Sequence, residues 1–475
     1  MSEMRFRIPE NLNINEVIEN NKEIFYRRNL KKGKMIFILD ALVNSRAKHR
    51  SELNEHDKKF APLSTEILQE VVYDYKNYLD FLLETGILLS DNHFIPGEKC
   101  KGFCFNAPYD GQRLKEERVD NYILKNAKRR ALDKRNIELK KSMWGYGYLT
   151  KPWDSDKLKI DLNYTDSWLA DYEEENMQAI RDDLKKKKDD RIKRAIETTE
   201  DFKQLARNIN YQKAHYSFSG DGHRFYTPIS NLKRELRNFL TYDGQPLGEV
   251  DVKNSQPFLS IKLFDLSFWE SSKNSQNLNL KSIDTGIYKT VKNNKYYEDI
   301  ITLLKTSESL NHKESDLEKY KYLVENGRFY EYMQEHFEPL FPERFNNRSN
   351  VKKEVLRIFY VENKDTDKPF YQPCKLFKYH FPLVYELFRL IKEIQSNYLP
   401  IILQRIESFL ILDVICKKIS VLHPHIPFFT IHDSILTTQG NEAIVEEIMA
   451  REIQNWTGHT ASFGRKELLP MQLAA

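Results

Sequence analysis

Apolar and polar positions follow three successive regimes along the chain. From Met35 to about Asn106 they are dense and mixed in period, beginning with the apolar run MIFILDALV. Pro62-Leu63-Ser64-Thr65 then opens a helix through EILQEVV. Tyr75, Tyr78, Leu79, Phe81 and Leu82 recur at helical spacing until Gly86, and the short apolar runs ILL and HFI flank Ser90-Asp91-Asn92. Helices followed by two short strands predict a winged-helix-like unit, from pattern alone. Residues 111–215 change character: LKNAKRRALDKRNIELKKS and RDDLKKKKDDRIKRAIETTEDFKQLARN predict long polar helices laced with charge. Such runs read either as solvated faces with i,i+4 ion pairs or, for the first and more basic one, as a track for a phosphate backbone. From residue 218 the pattern alternates between short β-prone runs and amphipathic helices.

The 475 residues suggest two to four domains. Hydrophobic residues at 40%, with only 16 Gly and 17 Pro, exclude a disordered or fibrous chain. The net charge of +4 is the difference between 74 basic and 70 acidic residues, so placement rather than balance must identify partners. Cys100, Cys104, Cys374 and Cys416 are too few and too scattered for a disulfide framework, which points to a reducing, cytoplasmic setting. Cys100 and Cys104 with nearby His93 form a weak zinc pattern, and idle thiols are the favoured reading. No apolar h-region opens the chain and no run approaches a membrane span, so neither secretion nor a membrane partner is expected.

Three segments fit one chemistry. In GEVDVKNSQPFLSIKLF, residues 248–264, a strand around Leu247–Val252 carries Asp251, and Pro257 marks the start of a helix. In PFFTIHDSILTT, two β-prone runs flank His432-Asp433 and predict a hairpin with Asp433 projecting at its tip. In RSNVKKEVLRIFY, Arg348, Lys352, Leu356 and Tyr360 fall four apart, and a drift of about 40° per step places them on one slanting helical stripe. Each alone is ordinary: a capping aspartate, a turn aspartate, an exposed basic helix. Together they supply two carboxylates for two Mg²⁺ ions, with Mn²⁺ as an alternative, and cations for a triphosphate.

In that order the segments resemble the palm and fingers of family-A DNA polymerases and phage-type single-subunit RNA polymerases, over about residues 218–470. The resemblance implies an α+β right-hand fold of palm, fingers and thumb. It implies that Asp251 and Asp433 bind the metals, that Arg348 and Lys352 contact the incoming triphosphate, with Lys352 also catalytic, and that Tyr360 and Gln256 sit at the nucleotide. It further implies that Arg224, in GDGHRFYTPISNLKRELRNFL, touches the template or hybrid, followed by Arg234 and Arg237, that Gln404 opens the helix facing the primer terminus, and that His432 contacts the nucleic acid. Lys128, Arg129 and Arg130 would extend that nucleic-acid contact.

The expected division is an N-terminal helical, winged-helix-like domain over 1–110, a basic helical, thumb-like region over 111–217, and a palm and fingers core over 218–475, with fingers near 340–400. ESSKNSQNLNLKSIDTG and its continuation read as a polar surface insertion, with a helix pair turning at Gly327. The run DVKNSQP lacks the Glu that excludes a ribose 2′-hydroxyl in family-A DNA polymerases, and HDS and DGHR lean toward the RNA enzymes. The 27 residues from Arg224 to Asp251 lean the other way. The expected activity is thus DNA-templated nucleotide addition to a 3′-hydroxyl from NTPs or dNTPs, leaning narrowly to RNA synthesis. The alternatives are a DNA polymerase of a mobile element, a template-independent nucleotidyltransferase of phage defence, and a non-enzymatic DNA-binding replication protein.

Overall fold

A computed structural model describes residues 4–50, 59–93, 100–183, 188–211, 216–220, 222–270, 278–309, 315–366 and 371–469. The chain starts with strand β1 (Met4–Pro9) and helix α1 (Lys32–Lys48), into which the run MIFILDALV falls. Hydrophobic on every side there, α1 is buried from Met35 through Leu39 and again at Leu42 and Val43. Then come β2 (Ala61–Pro62), α2 (Thr65–Val71), α3 (Tyr75–Glu84), β3 (Leu88–Ser90), β4 (Gly102–Phe105) and β5 (Leu114–Val119). The five apolar residues of α3 noted above are all buried in one core with α1. A three-stranded sheet runs β2–β4–β3. Of the second apolar run, HFI, only His93 is described; Phe94 and Ile95 lie outside the described residues.

Pairing of β5 with β1, in the register Phe6↔Glu117, continues this N-terminal body across residue 110. Helix α4 (Tyr122–Ser142) rests on the same core through Leu124, Ala127 and Ala131. Next come α5 (Gly147–Asp154), β6 (Leu158–Ile160), α6 (Leu162–Asp182) and α7 (Lys188–Tyr211). The reading of the second charged stretch as a solvated face is corrected here, because α7 lies between α1 and α6 and buries Thr199, Glu200, Asp201 and Gln204. Burial of charge requires partners. Glu200 pairs with Arg7, and Arg46 reaches Asp201 at 2.8 Å and Glu197 at 3.0 Å. Desolvation pushes both Asp40 and Asp201 up to about 6.

A short hairpin of β7 (Ser217–Phe218) and β8 (Phe225–Tyr226) leads into the main sheet, formed by β6, β9 (Leu240–Tyr242), β10 (Gln245–Val252), β11 (Phe428–Ile431), β12 (Ser434–Thr438) and β13 (Phe463–Glu467). Strand β10 is central, antiparallel to both β12 and β13. Its alternation sends Val250 and Val252 into the largest core, together with Ile435 of β12. Leu247, with Leu436 of β12, joins the opposite core with Phe202, Leu236 and Phe239.

Between the strands lie α8 (Ser255–Leu259), α9 (Asp316–Glu325), α10 (Phe329–Phe337), α11 (Arg348–Tyr360), α12 (Gln372–His380), α13 (Pro382–Ile394) and α14 (Tyr398–Ser408), and α14 continues into a π-helical stretch over Phe409–Cys416. The polar insertion is also corrected. Residues 280–309 form helices whose Val291, Ile300 and Leu304 are part of the largest core; 271–277 and 310–314 lie outside the described residues. The thiol of Cys104, buried in β4, is pushed up to about 11 by desolvation. No described helix is long and apolar enough to cross a membrane.

Candidate active site

Register decides where the two aspartates meet. Asp251 on β10 faces Ser434 on β12, so Asp433 stands one residue before its partner, at the β11–β12 turn. His432 completes that turn at φ +55°, and Asn254 (φ +54°) turns the chain from β10 into α8. Asp433 is half-buried rather than projecting freely: Ser255 at the start of α8 hydrogen-bonds its carboxylate, and Lys352 and Arg224 face it electrostatically. Burial raises both acids, and mutual repulsion with Asp433 and Glu249 adds to the rise at Asp251, up to about 7 against the pull of Lys352.

Helix α11 brings its stripe over this pair. Lys352 is exposed, yet it acts on both aspartates. Arg348 lies across the buried Tyr330 ring at 5.1 Å, donating from Nε to Glu331 Oε1 at 2.5 Å and from Nη2 to Asn254 Oδ1 at 3.2 Å. Tyr360, at the far end of the stripe, is half-buried. Desolvation pushes its phenol up to about 12, with Glu407 and Asp433 adding to the rise and Arg224 opposing it.

Glu407, the last-turn carboxylate of α14, is the residue that sequence reasoning missed. It is buried, accepts from Arg224 Nε at 3.0 Å and Nη2 at 3.1 Å, and accepts from the Gln256 amide as well. Arg224, expected at the template, and Gln256, expected at the nucleotide, both direct these donors to Glu407 in this structure. The reason is placement, since β8, α8 and α14 converge behind the aspartates where an unpaired guanidinium would be costly. Desolvation lifts Glu407 to about 7, with Arg224 lowering and Asp433 raising it. A signal existed in the sequence: a lone Glu between Ile406 and Phe409-Leu410-Ile411-Leu412 demands a buried partner.

The remaining expected contacts scatter. Gln404 packs on Gly222, where an added Cβ would stand 2.3 Å from its Oε1 and would make that side-chain end shift. Asp221, in the same DGHR run, lies outside the described residues. Arg237 is half-buried 4.0 Å from Glu249, whereas Arg234 is exposed. His432 is edge-on to Tyr226 at 5.7 Å, and burial, with Arg224 and Arg237 nearby, lowers it to about 4. Lys128 sits over the Phe6 ring at 5.0 Å, while Arg129 and Arg130 are exposed.

No group of three or more His, Cys, Asp and Glu that could hold a metal ion assembles among the described residues, so a metal at this point would take two carboxylates, Asp251 and Asp433, from the chain. That fits Mg²⁺, which takes few protein oxygens and keeps waters and phosphates as its other ligands. It also gives a pH prediction. A carboxyl raised in the folded state stabilises below its native value, and that stability is lost as pH climbs from the unfolded value of about 4 through about 7. Metal-free protein is expected to lose thermal stability across this window; Asp251→Asn should gain on wild type by on the order of 2 kcal/mol at about pH 8. Parallel melting curves at both ends of the window, or no response of wild type to Mg²⁺ at the upper end, would count against the paired-acid geometry.

No family model matches the chain, and no curated protein aligns with it. Among solved structures, the POL domain of Pol1 from M. smegmatis, in complex with DNA primer-template and dNTP, superposes with a TM-score of 0.38 at 9% sequence identity, over 72% of this chain and 72% of that one.

Proposed function

We propose that the protein is a nucleotidyltransferase that adds nucleotides from triphosphates to the 3′-hydroxyl of a nucleic acid, DNA-templated and favouring ribonucleotides. The observation that carries this reading is the delivery of Asp251 and Asp433 to one point by adjacent strands, under the exposed Lys352 of α11. Two Mg²⁺ ions held there would supply Lewis-acid activation of the attacking hydroxyl and neutralise the leaving pyrophosphate. Lys352 Nζ, facing these carboxylates, meets the β- and γ-phosphates. Arg348, oriented by Glu331 and the Tyr330 face, adds a second cation on the same stripe. Tyr360, kept as a neutral phenol, offers a flat face for base or sugar. Glu407 orders the back wall by fixing Arg224 and Gln256.

Purified protein with Mg²⁺, given labelled NTPs or dNTPs with and without a primed DNA template, tests the proposal on a sequencing gel. Template-dependent ladders from NTPs support it in full; ladders only from dNTPs, or only without template, overturn the sugar or template assignment. Lys352→Ala is expected to lower the incorporation rate by about 10²-fold and weaken triphosphate binding, since one preorganised cation on the transition state is worth that much. A variant as active as wild type would remove Lys352 from the site.

A further inference from the structure

The segment joining α4 to α5 carries an aromatic side chain that its surroundings leave bare. Trp144 is 90% exposed, although an indole is among the side chains that gain most from burial. It borders a shallow groove of about 560 Å³ whose wall includes Gly145, Gly147, Tyr148 and Lys151. Gly145 has φ +98°, and a Cβ added at Gly145 or Gly147 would meet nothing within 4 Å, so the backbone there is open to a flat ligand.

The groove is built on anchored residues. Met143 and Leu149 are buried on either side of it, Tyr148 donates its hydroxyl to the Leu412 carbonyl at 2.9 Å, and Trp153 is edge-on to Phe429 of β11 at 5.2 Å. Lys151 Nζ, exposed, reaches the Pro424 carbonyl at 3.3 Å.

Two residues on from Trp144, Tyr146 packs on Phe218 at 4.9 Å and hydrogen-bonds His223 Nε2 at 3.1 Å. His223 stacks flat on Phe218, 4.6 Å away, and is followed directly by Arg224 with its Glu407 partner. On the other side, α4 exposes Arg129, Arg130 and Lys141, interrupted by Asp133 and Glu138. A bare indole between lysines, on the segment whose Tyr146 joins the Phe218 and His223 rings, has the chemistry of a single-strand stacking platform.

We propose that an unpaired DNA strand binds here, one base stacked on Trp144 and its phosphates drawn to Lys141 and Lys151, so that the template passes Tyr146 and His223 on its way to Asp251 and Asp433. The direction of travel rests on the polymerase reading; the binding itself does not.

The test is fluorescence anisotropy of the full chain with a labelled oligothymidylate of about 12 nucleotides and with a blunt duplex, at low and high salt. Trp144→Ala, at an exposed position, should weaken single-strand binding about 5- to 100-fold, with Trp144→Phe restoring most of it and duplex binding little changed. The oligonucleotide should also quench less intrinsic fluorescence in Trp144→Ala than in wild type. If Trp144→Ala binds the oligonucleotide within about twofold of wild type with equal quenching, the platform is overturned, including the case where the face instead serves a protein partner. Asp251→Asn separates the two ideas: it should bind the oligonucleotide like wild type and incorporate nothing. Incorporation by that variant would sink the two-metal assignment, and no incorporation by wild type would sink the polymerase reading; either result leaves the platform standing.

Discussion

Asp251→Asn and Asp433→Asn are each expected to cut nucleotide incorporation by at least about 10²–10³-fold while the protein stays folded. The expectation rests on what the carboxylates do in the absence of metal. Asp251 stands on β10 and Asp433 in the turn that opens its antiparallel neighbour β12, and repulsion from its neighbours helps hold Asp251 up to about 7. A fold gains nothing from bringing such groups together; their proximity costs stability that a bound cation would return. Replacing one by the near-isosteric Asn removes a metal ligand and, with it, the repulsion. Activity and stability should therefore move in opposite directions, which an ordinary structural aspartate would not produce. Incorporation assays paired with thermal melts read both at once. If either variant keeps activity within about threefold of wild type, the two-metal assignment fails.

Glu407→Ala is expected to be the most destabilising single change in the site. The substitution leaves the Arg224 guanidinium partly buried without its bidentate acceptor and the Gln256 amide without its oxygen. Breaking one side of such a pair costs about 3–5 kcal/mol, more than the pair itself contributes. Removing Arg224 as well should recover part of the loss, because the uncompensated charge is then gone. Denaturant unfolding of Glu407→Ala, Arg224→Ala and the double variant measures this coupling. Additive losses would mean that Glu407 and Arg224 do not act as a coupled pair. Glu407→Gln, which keeps an acceptor, should fall between wild type and the alanine variant.

Much of the site can be read along the chain because its parts lie in local patterns. An eight-residue strand carrying Asp251, a two-residue turn carrying His432-Asp433 and a helix with Arg348, Lys352 and Tyr360 at four-residue steps each follow from periodicity and turn chemistry. The five buried positions of α3 follow likewise from their helical spacing. Where reading along the chain fails, the cause is a partner far away in sequence. The acids of α7 look like solvent-facing charge until Arg7 and Arg46, more than 150 positions earlier, are brought against them. The sequence near Arg224 gives no hint of its bond to Glu407, 183 residues on. Residues 280–309 look like a polar insertion because the apolar stripe that packs into the core is narrow and spaced among lysines and asparagines.

By itself, then, the sequence determined the elements and the candidate chemistry on each: hydrophobic period sets helix or strand, and the period alone says which face a side chain occupies. Only the tertiary structure decided which charges are free to act. Whether a cation meets a phosphate or is consumed by a carboxylate depends on what stands within a few ångströms across the fold, and in a desolvated interior an available partner always wins. That is why Lys352 remains exposed above the aspartates while Arg224 and Gln256, on equally suggestive stretches of sequence, are committed to Glu407.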